Sequence, residues 1–193
     1  MIDIIFASAN KHKQEEVQQI LGEKFRVISL RELNYNKEII ENANTLEGNA
    51  QIKARTIYKE FGKMCFADDT GLEVFALGGE PGVYSARYAG ETCSSTDNME
   101  KLLSKLKTED NRSAQFRTSI CLIREGVEYF FDGIVKGEII KNTAGYKGFG
   151  YDPIFKPLGF DKTFAQMPED LKNEISHRGI SVRKLAKFLN EIY

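Results

Sequence analysis

The chain has 193 residues, 41% of them hydrophobic, and its 27 Lys and Arg nearly cancel 28 Asp and Glu to leave a formal net charge of −1. That balance excludes a disordered chain and broad adhesion to nucleic acid polymers or anionic membranes. No apolar run reaches membrane-spanning length, and Cys65, Cys93 and Cys121, odd in number and without a Cys-x-x-Cys pair, suggest neither a disulfide framework nor a thiolate zinc site.

In chain order, Ile2 to Ala7 reads as a short buried strand. A helix follows from about Lys13 to Leu21, with Val17, Ile20 and Leu21 at helical spacing. A second amphipathic helix starts near Thr45, a plausible N-cap, and carries Leu46, Ala50, Ala54, Ile57 and Phe61 on one face. The spacing predicts a strand at Cys65 to Ala67, then a glycine-rich loop over Gly78 to Gly82. A third helix carries Met99, Leu102, Leu103 and Leu106 behind an Asp97 or Thr96 cap. Ala114 to Leu122 alternates with period two, Glu125-Gly126 turns the chain, and Val127 to Val135 returns as its hairpin partner, with Gly137 to Ile140 continuing the sheet. Gly145 to Pro153 forms a second glycine-rich stretch, and Val182, Leu185, Ala186, Leu189 and Ile192 line a terminal helix. These elements predict an α/β protein with a mixed sheet and two lobes within one domain, residues 1–193. With no cleavable signal ahead of the first strand, a cytoplasmic location is expected.

The chemistry concentrates in a few segments. Asp68-Asp69 follows the apolar Cys65-Phe66-Ala67 and precedes Thr70-Gly71. Adjacent side chains of an extended segment point to opposite faces, and two carboxylates this close call for a cation or for donors. A divalent metal site and an Asp-Asp turn with glycine are both compatible with that pattern. Ser8-Ala9-Asn10-Lys11-His12-Lys13 joins a strand to a helix N-terminus, a place suited to an anion, although P-loop spacing is absent and a capped helix with solvated lysines reads equally well. Phe149-Gly150-Tyr151-Asp152-Pro153 offers an aromatic platform beside flexible backbone, or a core phenylalanine. Ser176-His177-Arg178 combines a histidine with a planar fork of N–H donors, or forms a polar turn before the last helix.

The order and spacing of these blocks, together with Thr45-x-Glu47-x-Asn49-Ala50-x-x-Lys53-Ala54 and Leu77-Gly78-Gly79-x-Pro81-Gly82-Val83-Tyr84-Ser85-Ala86-Arg87-Tyr88, strongly resemble the Ham1/inosine triphosphate pyrophosphatase family from the first strand to the last helix. The resemblance implies an elongated mixed sheet flanked by helices, in two lobes with the active-site cleft between them. It implies a homodimeric enzyme that hydrolyses non-canonical purine nucleoside triphosphates (ITP, dITP, XTP) to the monophosphate and pyrophosphate with Mg²⁺.

Laid over this sequence, the family's pattern has Ser8, Asn10 and Lys13 holding the triphosphate within the loop that also includes Ala9, Lys11 and His12. Glu41, Asp68 and Asp69 would hold Mg²⁺, Asp69 would act as general base, Thr70 would touch substrate and Lys53 would reach the phosphates. Phe149 would stack on the base beside Gly150 and Tyr151, Asp152 and Lys172 would complete the nucleotide site, and His177 with Arg178 would meet the purine edge. Two positions depart from the common pattern: Ser8-Ala9 stands where many members have Thr-Gly, and His12 where Gly or Lys is frequent. A pyrophosphatase for modified pyrimidines, as in the related Maf family, and a nucleotide- or RNA-binding module without turnover are the competing readings. The Ser-His-Arg and Gly-Phe-Gly-Tyr-Asp blocks oppose the first, and the set of three acids opposes the second.

Overall fold

The computed structural model describes residues 1–193 apart from the side chain of His12. Its strands are β1 (Ile2–Phe6), β2 (Phe25–Ser29), β3 (Cys65–Val74), β4 (Ser113–Arg124), β5 (Val127–Ile139) and β6 (Phe155–Pro157). Its helices are α1 (Lys11–Leu21), α2 (Leu46–Phe61), α3 (Ser95–Lys105), α4 (Glu169–Ile175) and α5 (His177–Ile192). The strands form one mixed sheet in the order β2-β1-β3-β4-β5-β6, with β1 parallel to β2 and β3, and β5 antiparallel to β6. The chain divides into two units, the first made of Met1–Asp69, Thr118–Gly133 and His177–Tyr193, the second of Thr70–Arg117 and Ile134–Ser176.

In the first unit the strands alternate between two cores. Ile4 and Phe6 of β1 and Phe66 of β3 join Val17 and Leu21 of α1 and Val182, Leu185 and Leu189 of α5. Their neighbours Ile5, Ala7, Cys65 and Ala67 join Ala50, Ala54 and Ile57 of α2. Period-two alternation therefore places α1 and α5 on one face of the sheet and α2 on the other. Because β1 lies between β2 and β3, with α1 and α2 leaving to opposite faces, the carboxyl end of β1 lies at a switch point, the usual place for a ligand in parallel sheets. The second unit has its own core, in which Phe116, Phe155 and Phe164 pack ring against ring beside Leu102, Leu106 and Tyr151.

Several sequence expectations shift. The β2 strand escaped a periodicity reading, yet all five of its residues pair with β1, from Ile2↔Phe25 to Phe6↔Ser29. The β3 strand does not stop at Ala67 but runs through both aspartates to Val74. The first helix starts at Lys11, capped by Asn10, because that side chain accepts the backbone N–H of Lys13 at 3.2 Å. The cap of α3 is Ser94, with Asp97 as its reciprocal partner three residues on: Ser94 N donates to Asp97 Oδ2 at 2.7 Å and Asp97 N donates to Ser94 Oγ at 3.2 Å. The Val127 strand runs unbroken through Gly133 and Gly137, and β4 passes to it through Glu125 and Gly126, both at positive φ, the pair of angles a type I′ hairpin turn needs. Gly133 is required where it sits: a Cβ there would run into the His177 carbonyl and come within 2.7 Å of Ser181 N, so glycine lets α5 press directly on the strand.

Candidate active site

The loop after β1 is shaped by its own side chains. Ser8 Oγ accepts the Asn10 N–H at 3.2 Å, and Asn10 in turn caps α1, so the segment turns tightly into the helix N-terminus. Ala9 needs no glycine-like freedom, since Asn34 and Glu125 are the non-glycine residues at positive φ. Lys13 points inward and Lys11 outward, the latter pairing with Glu15 at 3.4 Å on the exposed face of α1.

The two aspartates take opposite faces, as alternation along β3 demands. Asp68 shares the face of Phe66 and meets α1 and α5: Lys13 Nζ donates to both of its oxygens at 3.0 and 2.9 Å, and Arg178 Nε approaches Oδ2 at 3.4 Å. Glu16, one turn along α1 from Lys13, meets Arg178 Nη1 at 3.3 Å, so Arg178 ties α1 to β3. Asp68 is 3% exposed, and burial alone would raise its pKa. Lys13, Arg178 and Lys53 reverse that effect and hold the carboxyl well below the usual range. Asp69 shares the face of Ala67 and meets α2: Asn49 Nδ2 donates to Oδ2 at 3.1 Å, and Lys53 Nζ lies 3.8 Å from Oδ1. Lys53 also donates to Glu41 at 2.6 Å. Burial opposes the charge on Lys53, but Asp69, Asp68 and Glu41 overcome it and raise its pKa, so the ammonium is fixed.

A cavity of about 290 Å³ opens among these groups, walled by Ser8, Ala9, Lys13, Lys37, Glu41, Lys53 and Asp68. It lies at the carboxyl end of β1, beside the middle of β3, and within the first unit. The acids do not converge as the sequence suggested: among the described residues no three of His, Cys, Asp or Glu stand close enough to share a metal. Glu41, Asp68 and Asp69 each face an ammonium instead, because bare carboxylates at such range repel. Their chemistry nonetheless fits Mg²⁺. All three offer hard carboxylate oxygens, and the Lys53 ammonium between Glu41 and Asp69 marks a place already built for a cation.

In the second unit, Phe149 is 64% exposed and stands over a polar clasp. Asp152 accepts the Phe149 N–H at 2.8 Å and the Lys172 ammonium at 2.6 Å, while that ammonium lies 4.9 Å from the Phe149 ring centre. Gly148, at φ 80°, leaves the space that Asp152 Oδ2 occupies, and Gly150 at φ 62° completes the turn. Tyr151 is different from its expected role. Its side chain is buried in the core and its hydroxyl donates to the Ser85 carbonyl at 2.9 Å, which leaves the aromatic platform to Phe149.

His177 and Arg178 open α5 and are buried, so the polar-turn alternative is set aside. Arg178 turns toward Asp68 and Glu16, which gives it a structural tie that the sequence did not suggest. Sequence reading passed over Glu16 and Lys37, and it named Asn49 in a motif without giving it a role. Helical spacing held the signal for two of them, since Glu16 is three positions from Lys13 and Asn49 is four from Lys53.

A buried lysine-aspartate network at a parallel-sheet switch point, under a capped helix N-terminus, defines an α/β protein with a charged cavity. Comparison with known proteins makes that particular: the chain belongs to the Ham1 family, whose model matches residues 4–188. It is 54% identical over 186 residues to the dITP/XTP pyrophosphatase of Flavobacterium johnsoniae, covering 96% of this chain and 97% of that one. Among solved structures it is similar to the Staphylococcus aureus Ham1 protein (TM-score 0.93, 42% identity, 99% and 100% of the two chains). A HAM1 protein from Coxiella burnetii is comparably close (TM-score 0.94, 36% identity, 99% and 100%).

Proposed function

We infer that the chain is a nucleoside triphosphate pyrophosphatase that hydrolyses dITP, XTP and ITP to the monophosphate and pyrophosphate and so clears altered purines from the nucleotide pool. Family membership and full-length relatives carrying the dITP/XTP pyrophosphatase name support that activity. The observation that carries the chemistry is the division of Asp68 and Asp69 between the two faces of β3, one locked by Lys13 and Arg178, the other turned to Asn49 and Lys53 of α2. A locked carboxylate stays ionised and makes an anchor. Asp69, held by an amide and a more distant ammonium, is the better base. In this reading it takes a proton from water as the water oxygen bonds to the α-phosphorus, and the bond from that phosphorus to the bridging oxygen of the pyrophosphate breaks.

Lys13 and Lys53 offset charge on the departing pyrophosphate, and the Ser8 to Lys13 loop orients the phosphates at the N-terminus of α1. Glu41, Asp68 and Asp69 would hold Mg²⁺ only by turning from their ammonium partners, and the ion when bound supplies further charge neutralisation on the phosphate oxygens. In the second unit, Phe149 takes the base by stacking, with Asp152 and Lys172 behind it. His177 and Arg178 donate toward a 6-oxo group, which hypoxanthine and xanthine present and adenine lacks. Thr70 contacts substrate, and the working form is a cytoplasmic homodimer. Pyrophosphate release from dITP, XTP, ITP, GTP and ATP, with Mg²⁺ and with chelator, tests the reading. Release from the first three with Mg²⁺, and much less from ATP, is expected; no release from any nucleotide would leave a binding protein.

A further inference from the structure

Lys37 is the one charged residue of the cavity wall to which the reading above gives no part. It lies on the segment between β2 and α2, four residues before Glu41. Beyond the cavity it also borders a neighbouring groove formed by Leu33, Tyr35, Glu60 and Phe61, so it stands on the ridge between the two. Its ammonium is drawn to the groove side, bonded to Glu60 at 2.6 Å and 5.8 Å from the Tyr35 ring centre.

The three lysines of the wall differ in how firmly they are held. Lys13 and Lys53 are 25% and 13% exposed and bound to carboxylates of the catalytic group. The Lys37 and Glu60 side chains are 66% and 41% exposed, and ion pairs so open to water contribute little. A polyphosphate in the cavity offers Lys37 stronger, charge-assisted partners than Glu60 does. Lys13 and Lys53 touch Asp68 and Asp69, so the phosphates they meet are those nearest the attacked phosphorus. The contacts of Lys37 lie outside that group and toward solvent, which leaves it the outermost phosphate.

We propose that Lys37 exchanges Glu60 for the terminal phosphate of the bound nucleotide and so distinguishes a triphosphate from a diphosphate. The proposal rests on the pyrophosphatase reading for its substrate, but the contact itself is measurable without turnover. In steady-state kinetics, Lys37→Ala is expected to raise the KM for dITP about 5- to 20-fold with kcat within twofold. The inhibition constant of dIDP should move less than twofold, and Lys37→Arg should restore most of the KM. Lys59→Ala, the same charge change on an exposed position of α2, is the control and should leave both constants unaltered. In calorimetry, Lys37→Ala should weaken inorganic tripolyphosphate several-fold more than inorganic pyrophosphate. Equal weakening of the two polyphosphates, no weakening of either, or a fall in kcat without a change in KM would overturn the proposal. A wild-type protein that binds tripolyphosphate through Lys37 but releases no pyrophosphate from dITP would sink the pyrophosphatase reading and keep the contact.

Discussion

The carboxylate pocket of the first unit and the aromatic clasp of the second are built by opposite means. Asp68 and Asp69 sit mid-strand, and Lys13, Arg178, Asn49 and Lys53 reach them from helices packed on the sheet. Phe149 sits on a turn between two positive-φ glycines, held from below by one carboxylate and one ammonium, with most of its ring in solvent. Where charge must be held at fixed places, the chain uses its most rigid elements, and where a flat ring must be accepted, a loop suffices. Changes to the first region should therefore alter turnover or stability, and changes to the second should alter affinity.

The largest effect tests the first half of that contrast. Asp69→Asn is expected to lower kcat about 10²- to 10⁴-fold with KM within a few-fold. A loss below tenfold would place the base elsewhere. Next, Arg178→Ala leaves buried Asp68 and partly buried Glu16 without the guanidinium between them, and unfolding free energy should fall by about 3 to 5 kcal/mol in denaturant titration. If stability held while base preference alone changed, Arg178 would serve only as a substrate contact and the structural tie would be ruled out. Phe149→Ala should cost about 1 to 3 kcal/mol of nucleotide binding, read in KM, with the unfolding midpoint unchanged. A lowered midpoint would make the ring part of the fold and erase the difference between the regions.

The smallest effect at neutral pH concerns the thiols packed behind the pocket. Burial pushes Cys65 and Cys121 from 9.0 up to about 12. The folded state thus keeps protons that the unfolded state releases, so their contribution to stability is complete below pH 9 and is lost as pH rises toward 12. Denaturation midpoints of the wild type should fall across that window, and those of a Cys65→Ala, Cys121→Ala variant should fall less. Parallel curves would mean that the thiols titrate alike in both states.

Local pattern made much of the molecule legible. The apolar stripe of α2 and the period-two run of β4 were each readable within one segment, and so was the division of Asp68 and Asp69 between two faces. Features that depend on distant pairing were not. Phe25, Arg26 and Val27 alternate as a strand does, but the five-residue run is short and its pairing comes from β1 alongside it, and without β2 the switch point cannot be seen. The short α4 carries too few turns for a periodic signal. The site itself was visible chiefly through family resemblance. Its internal wiring, Glu16 to Arg178 and Asn49 to Asp69, depends on helix packing that single-segment reading does not reach.

The alternation of Asp68 and Asp69 also bears on how the chain finds its fold. A slip of β3 by one residue would swing Asp68 toward α2 and Asp69 toward α1 and α5, away from the partners each requires, while Phe66 and Ala67, side chains of very different size, would exchange cores. Misregistered sheets would trap charge in apolar surroundings and be rejected during assembly. The two carboxylates to which the proposed chemistry is assigned thus also act as a proofreading mark for strand register.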